Sequence, residues 1–230
     1  MVAATMEARS DPRFGLASID SNGRRAAIEL VRRAHTAAAA MSDCTGRAVV
    51  DAVQVQPAAI DPGIRDTRGA HVSALASSLD EIARWDWRGG RLPLEHCDSA
   101  TGVRPVEGFL PLEDEIRALA LRDDPDGPAI TINWGRPVLE TRRTETAVEH
   151  VRLAAASGML GARAYSGVAG ERTPLGEAWG DSHVAARGPA ATRAGLGASL
   201  LSEAEIRAFS AAATGGLTIV KVNAPSAPAA

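Results

Sequence analysis

An α/β fold with a parallel sheet is what this sequence predicts, and three observations predict it. Five short apolar segments alternate with amphipathic helical ones, the pattern of successive βα units. They recur every 35–45 residues or so without any repeated motif, which argues against a solenoid. At 230 residues, with 45% hydrophobic and 23% charged side chains, the chain suits one α/β domain of about 200–250 residues.

The first helix runs from about Ser21 to Met41. Ala27, Ile28, Val31, Ala34, Ala38 and Met41 recur at three- and four-residue steps, as one buried face requires. Asp20 or Ser21 can accept from its free amides. After a break at Ser42–Gly46, Ala48–Val55 is short and β-branched and reads as a strand buried on both faces. A loop with two prolines and a turn at Gly63 leads to a helix over Ala70–Trp85, with Val72, Leu75, Leu79 and Ile82 on one face. Arg91–His96 is the next strand, in which Pro93 has no amide hydrogen for a central ladder. Phe109-Leu-Pro-Leu112 opens a helix to about Arg122, and the turn formers Asp124–Pro128 precede a strand at Ala129–Asn133.

Thr146-Ala-Val-Glu149 has the spacing at which two side chains satisfy each other's amides at a helix start. It opens a helix carrying Val148, Val151, Leu153 and Ala155, followed by a strand at Gly161–Ser166 and a long Gly- and Pro-rich loop. Ser202-Glu-Ala-Glu205 repeats the capping spacing before Ile206, Phe209 and Ala213. Leu217–Val222 is the last strand, and Asn223–Ala230 reads as a disordered tail.

Composition excludes several classes. A net charge of −3 and a pI of about 6.0 argue against a phosphate-binding surface, so no nucleic acid is expected. No apolar run is long enough to span a bilayer, and Met1–Pro12 lacks the apolar core of a secretory signal. Two cysteines make no disulfide framework, which points to the cytoplasm. Phosphate loops, dinucleotide fingerprints, nucleophile elbows and zinc helices are missing.

In parallel α/β architectures ligands bind beyond the C-terminal ends of strands. That rule selects Gln54 and Gln56, then Glu95, His96 and Asp98, then Asn133, Trp134 and Arg136, then Tyr165 and Ser166, and finally Lys221 and Asn223. Glu95-His-Cys-Asp98 is the densest cluster of acid–base and metal-ligating groups. Neighbours on a strand point to opposite faces, so Glu95 and His96 cannot share one site. Asn133-Trp-Gly-Arg136 joins an amide, an aromatic ring, a turn glycine and a cation, which suits a sugar or a carboxylate. Asp181-Ser-His183 offers an acid–base pair, or a plain surface feature of its loop.

Six motifs then carry a resemblance: Asp11-Pro-Arg-Phe-Gly-Leu-Ala-Ser18, Trp85-Asp-Trp87, Glu95-His-Cys-Asp98, Gly108-Phe-Leu-Pro-Leu-Glu113, Asn133-Trp-Gly-Arg136 and Ala178-Trp-Gly-Asp-Ser-His183. In this order, over Thr5 to Val222, they resemble the uncharacterised bacterial family named domain of unknown function 4862. That family is similar to the xylose-isomerase-like TIM barrels, which include sugar isomerases, sugar epimerases and endonuclease IV.

The resemblance implies a partial (β/α) TIM barrel, with about five of eight strand–helix units forming one domain over residues 1–222. Family members begin earlier, so the five strands would be the fourth to the eighth. A truncated barrel leaves open sheet edges. A start of translation upstream is the expected resolution, the alternatives being self-association, with the sheet closing against another copy, and a marginally stable product.

The implied function is a sugar isomerase/epimerase-like protein that binds a small polyol or sugar derivative. Glu95 would be the base that takes a proton beside a carbonyl, with His183 a second acid–base group. Gln54, His96, Asp98, Asn133, Trp134, Arg136, Ser166 and Lys221 would contact substrate. The metal set of the characterised epimerases is poorly matched. Asn133-Trp-Gly-Arg136 stands where Asp-x-Gly-His is expected, Gln54-Val-Gln56 stands for Glu-x-His, Tyr165-Ser166 for a His, and Lys221 and Asn223 for a Glu. A divalent ion wants several anionic or imidazole ligands, so neither metal nor other cofactor is expected. The alternatives are a non-catalytic ligand-binding or interaction protein, and a fragment without a function of its own.

Overall fold

The computed structural model describes residues 2–58, 64–122, 127–187 and 197–223; the turn at Gly63, the turn formers Asp124–Asp126 and the tail from residue 224 lie outside them. In chain order the elements are α1 Val2–Ser10, α2 Ser21–Thr45, α3 Ile64–Ala83, β1 Leu94–His96, α4 Leu112–Ala120, β2 Ile130–Asn133, α5 Gly135–Thr141, α6 Glu145–Ala156, β3 Leu160–Tyr165, α7 Glu203–Ala211 and β4 Leu217–Val220. The strands form one parallel sheet in the order β1-β2-β3-β4, with helices in every crossover. The β3–β4 register runs from Ala162 opposite Leu217 to Tyr165 opposite Val220. None of the described helices is long and apolar enough to cross a membrane.

The chain divides into two compact units, residues 1–101 with 107–131, and residues 102–106 with 132–230. In the first, α2 starts where the Asp20 carboxylate accepts from the amides of Asn22 and Gly23. It ends at Gly46, whose φ of 67° is the left-handed conformation a helix C-terminus favours and glycine adopts without strain. Ala27 and Val31 are buried as expected, but Met41 is 53% exposed. A helix of 25 residues is about 37 Å long, and α2 packs against α3.

The strand expected at Ala48–Val55 is reduced to an extended segment holding two isolated parallel bridges, Ala52 to Arg91 and Val55 to Leu94. The Arg91 amide donates to Asp51, Val53 to Arg91, Val55 to Pro93, and Glu95 to Val55. The bond missing from that series is the one from residue 93 to Val53, and residue 93 is proline. Pro93 therefore splits the ladder by removing one donor. Residues 48–54 are exposed or half-buried rather than buried on both faces.

β2, whose last two residues begin the long segment of the second unit, is buried along its length, whereas β4 alternates half-buried and exposed residues, with Val220 at 73% exposure. The sequence pattern missed α5, which begins directly after β2. Gly135 is required there because a Cβ would lie 2.8 Å from the Ser166 carbonyl oxygen. The capping spacing at Ser202 is realised, its hydroxyl accepting from the Glu205 amide. The one at Thr146 is not: α6 starts one residue earlier, and the Thr146 hydroxyl bonds to Thr141 at 2.7 Å instead. The residues α6 buries along its interior are Ala147, Val151 and Ala154, and Leu153 is 38% exposed. Arg163 on β3 reaches the carbonyls of Ser210, Ala213 and Gly215 at 2.6, 2.6 and 3.0 Å, tying down the chain between α7 and β4.

Candidate functional site

The residues selected from strand ends fall into two groups, one in each unit. In the first unit Glu95 is fully buried and its Oε2 accepts from Gln56 Nε2 at 3.2 Å. Gln56 is itself 2% exposed, while Gln54 is half-buried; the residue that meets Glu95 is therefore the second glutamine. His96 turns the other way, as strand alternation requires, and its Nδ1 lies 3.0 Å from Glu115 Oε2 on α4, both side chains fully buried. Asp98, also fully buried, accepts from the Glu107 amide at 2.9 Å and so shapes the loop after β1. Buried acids continue outward, where arginines with exposed stems reach in. Arg9 meets Glu107 at 2.8 Å and Arg68 meets Asp114 at 2.5 Å. The bond to Asp114 holds the Arg68 pKa above the usual guanidinium value, outweighing the opposing effect of partial burial.

Glu95, His96 and Asp98 do not converge on one point: Glu95 faces Gln56, His96 faces Glu115, and Asp98 accepts from the Glu107 amide, so these three side chains do not form one cation site. Gln56 offers Glu95 an amide N–H donor, a group that a carboxylate oxygen accepts from.

The second unit holds the remaining candidates. Asn133 ends β2 and accepts from the Gly135 amide at 3.3 Å, forming the turn into α5. Trp134 is fully buried, so its ring packs in the core and presents no exposed stacking face. Arg136, in the first turn of α5, is only 2% exposed and its Nη2 is 2.9 Å from Asp181 Oδ2. The other oxygen of Asp181 lies 3.5 Å from His183 Nδ1, and Ser166 Oγ at the end of β3 lies 2.7 Å from that same nitrogen. Lys221 is half-buried and its amide donates to the Tyr165 carbonyl at 3.0 Å.

Arg136, Asp181, His183 and Ser166 are thus one connected network drawn from α5, the loop after β3 and the end of β3. Serine, histidine and aspartate are present, but not as a hydrolytic relay. In a relay the acid and the serine occupy opposite ring nitrogens, and here both meet Nδ1. The arrangement instead fixes an imidazole beside a buried cation, which suits binding and proton exchange with hydroxyl groups.

Gln56 and Asp181 are the residues that strand-end reasoning left without a role. Gln56 was signalled by its i+2 spacing from Gln54, and Asp181 by its own i+2 spacing from His183.

Three comparisons bear on this architecture. The chain matches, over residues 1–229, the family described as Domain of unknown function (DUF4862). An uncharacterized protein of Salmonella typhimurium strain LT2 is 36% identical over 168 residues, which is 72% of this chain and 51% of that protein. The chain spans about half the length of the curated relative it matches. The crystal structure of a D-tagatose 3-epimerase-like protein superposes with a TM-score of 0.60 at 16% identity, covering 91% of this chain and 67% of that one. At that identity the likeness concerns the fold alone. The fold is a partial (β/α) barrel of the xylose-isomerase-like type, as the resemblance implied.

Proposed function

The chain belongs to the family described as domain of unknown function 4862, and from that membership we propose that it binds a small polyol or sugar derivative and exchanges a proton with it. The fold itself is sugar isomerase/epimerase-like. The observation that carries the reading is Glu95: a fully buried carboxylate at the C-terminal end of β1, oriented by Gln56 at 3.2 Å. A carboxylate held in a water-poor setting is a strong general base for a proton beside a carbonyl, because little solvent must be reorganised when it accepts. In the second unit, Asn133, Arg136, Ser166 and His183 offer a set of their own of hydrogen-bonding and proton-exchanging groups for ligand oxygens.

Titration calorimetry with a panel of polyols and ketoses tests binding, and deuterium uptake from D2O into a bound ketose tests proton abstraction. The wild type should bind and incorporate deuterium, while Glu95→Gln should bind and incorporate none. Uptake undiminished in Glu95→Gln would refute the base assignment.

A non-catalytic ligand-binding protein is the second reading. The dispersal of Glu95, His96 and Asp98 onto separate partners favours it. Binding without deuterium uptake in the wild type is its signature.

A further inference from the structure

Asp181 has no part in the proton transfer proposed above, yet the second unit's network runs through it. It lies between Trp179 and His183, whose φ values of 59° and 48° are in the left-handed region that side chains other than glycine's avoid. Tertiary hydrogen bonds impose that shape. The Trp179 amide donates to Ala169 at 2.8 Å, Val184 and Gly167 exchange bonds of 3.0 and 2.8 Å, and the Asn223 amide donates to the His183 carbonyl at 2.9 Å. The Asn223 side chain adds a bond to the Ser182 carbonyl at 3.1 Å. The loop is thereby clamped between the segment after β3 and the end of β4, all within one unit.

What the strain achieves is the aim of one carboxylate. Asp181 Oδ2 takes the guanidinium of Arg136, and Oδ1 faces His183 Nδ1. A carboxylate can only accept, so its presence beside Nδ1 favours the tautomer with the proton on that nitrogen. That proton then goes to Ser166 Oγ, 2.7 Å away.

We infer that Asp181 is the positioning residue of this site: it anchors the buried Arg136 and keeps the proton of His183 on Nδ1, which donates it to Ser166, so that Nε2 is the atom that accepts a proton from a ligand hydroxyl. The inference rests on the reading that His183 exchanges protons with a polyol, and it deepens that reading by assigning the reacting nitrogen.

The experiment is nitrogen NMR of the full chain labelled with ¹⁵N-histidine, the His183 signal being assigned by its loss in His183→Gln. Wild-type His183 should be predominantly the Nδ1–H tautomer, Asp181→Asn should invert it to predominantly Nε2–H, and Asp181→Glu should restore it. Ser166→Ala, which keeps the carboxylate, should retain Nδ1–H. An Nε2–H wild type, or an Asp181→Asn protein with unchanged tautomer, overturns the inference. So does loss of Nδ1–H in Ser166→Ala, which would give the role to Ser166. Should Asp181→Asn fail to fold, the wild-type tautomer and Ser166→Ala still decide. Failure of the wild type to bind any polyol would sink the functional reading alone, leaving the tautomer result intact.

Discussion

Around β1 in the first unit the buried charges are acids, and their partners are a neutral amide, a histidine, or arginines such as Arg9 and Arg68 that keep much of their length in water. At the end of β2 in the second unit the order is reversed. The buried charge is the guanidinium of Arg136, and the more accessible partner is Asp181, at 17% side-chain exposure. The difference lies in how each charge can respond when its partner goes. A buried carboxylate can take up a proton and become neutral, whereas a guanidinium stays charged at any ordinary pH. Losing the partner of the cation is therefore the more damaging event.

The largest effect should come from that event. Asp181→Ala leaves Arg136 charged and buried, and should cost about 3–5 kcal/mol in urea unfolding. Next is Arg163→Met, which abandons one carbonyl in the last turn of α7 and two between α7 and β4, and should cost about 2–3 kcal/mol. In the first unit Gln56→Leu removes the amide donor to Glu95 and should cost about 1–2 kcal/mol. Arg136→Met should cost only about 1 kcal/mol, since Asp181 can turn to water. Equal losses for Arg136→Met and Asp181→Ala would break the rule that losing the partner of the buried cation is the more damaging event.

The smallest effect is at Asp11. The hydrogen bond from Arg13 holds its carboxyl below the ordinary aspartate range, although both groups are exposed. A lowered folded-state pKa gives stability that is present above the unfolded value and lost as pH falls through the folded one. Asp11→Asn should leave the unfolding midpoint at pH 7 within error of wild type. Any difference should appear only above the acid window, never below it.

Some of the site was legible before any coordinates. Alternation along β1 already separated Glu95 from His96, and the structure sends them to Gln56 and Glu115. The Ser202 cap followed from four residues of sequence because its partners are local. The Thr146 cap had the same spacing and failed, because Thr141, on the preceding helix, competes for its hydroxyl. Pro93 was recognisable as a ladder breaker, but which bond it removes depended on the register against Val53. Leu153 was named among the apolar residues of α6, but the face that packing buries is Ala147, Val151 and Ala154, and Leu153 is 38% exposed.

What the sequence by itself determined is the alternation of βα units, the polar residues that end each strand, and the order of motifs that marks the family. These depend on periodicity and local chemistry, which act over a few residues. Only the tertiary structure decided that Gln56 meets Glu95, that Trp134 is core, and that Asp181 joins Arg136 to His183. Those pairings link residues 2 to 45 positions apart, and the widest of them span separate elements. Their geometry is set by packing and by loop strain, neither of which leaves a periodic trace in the chain.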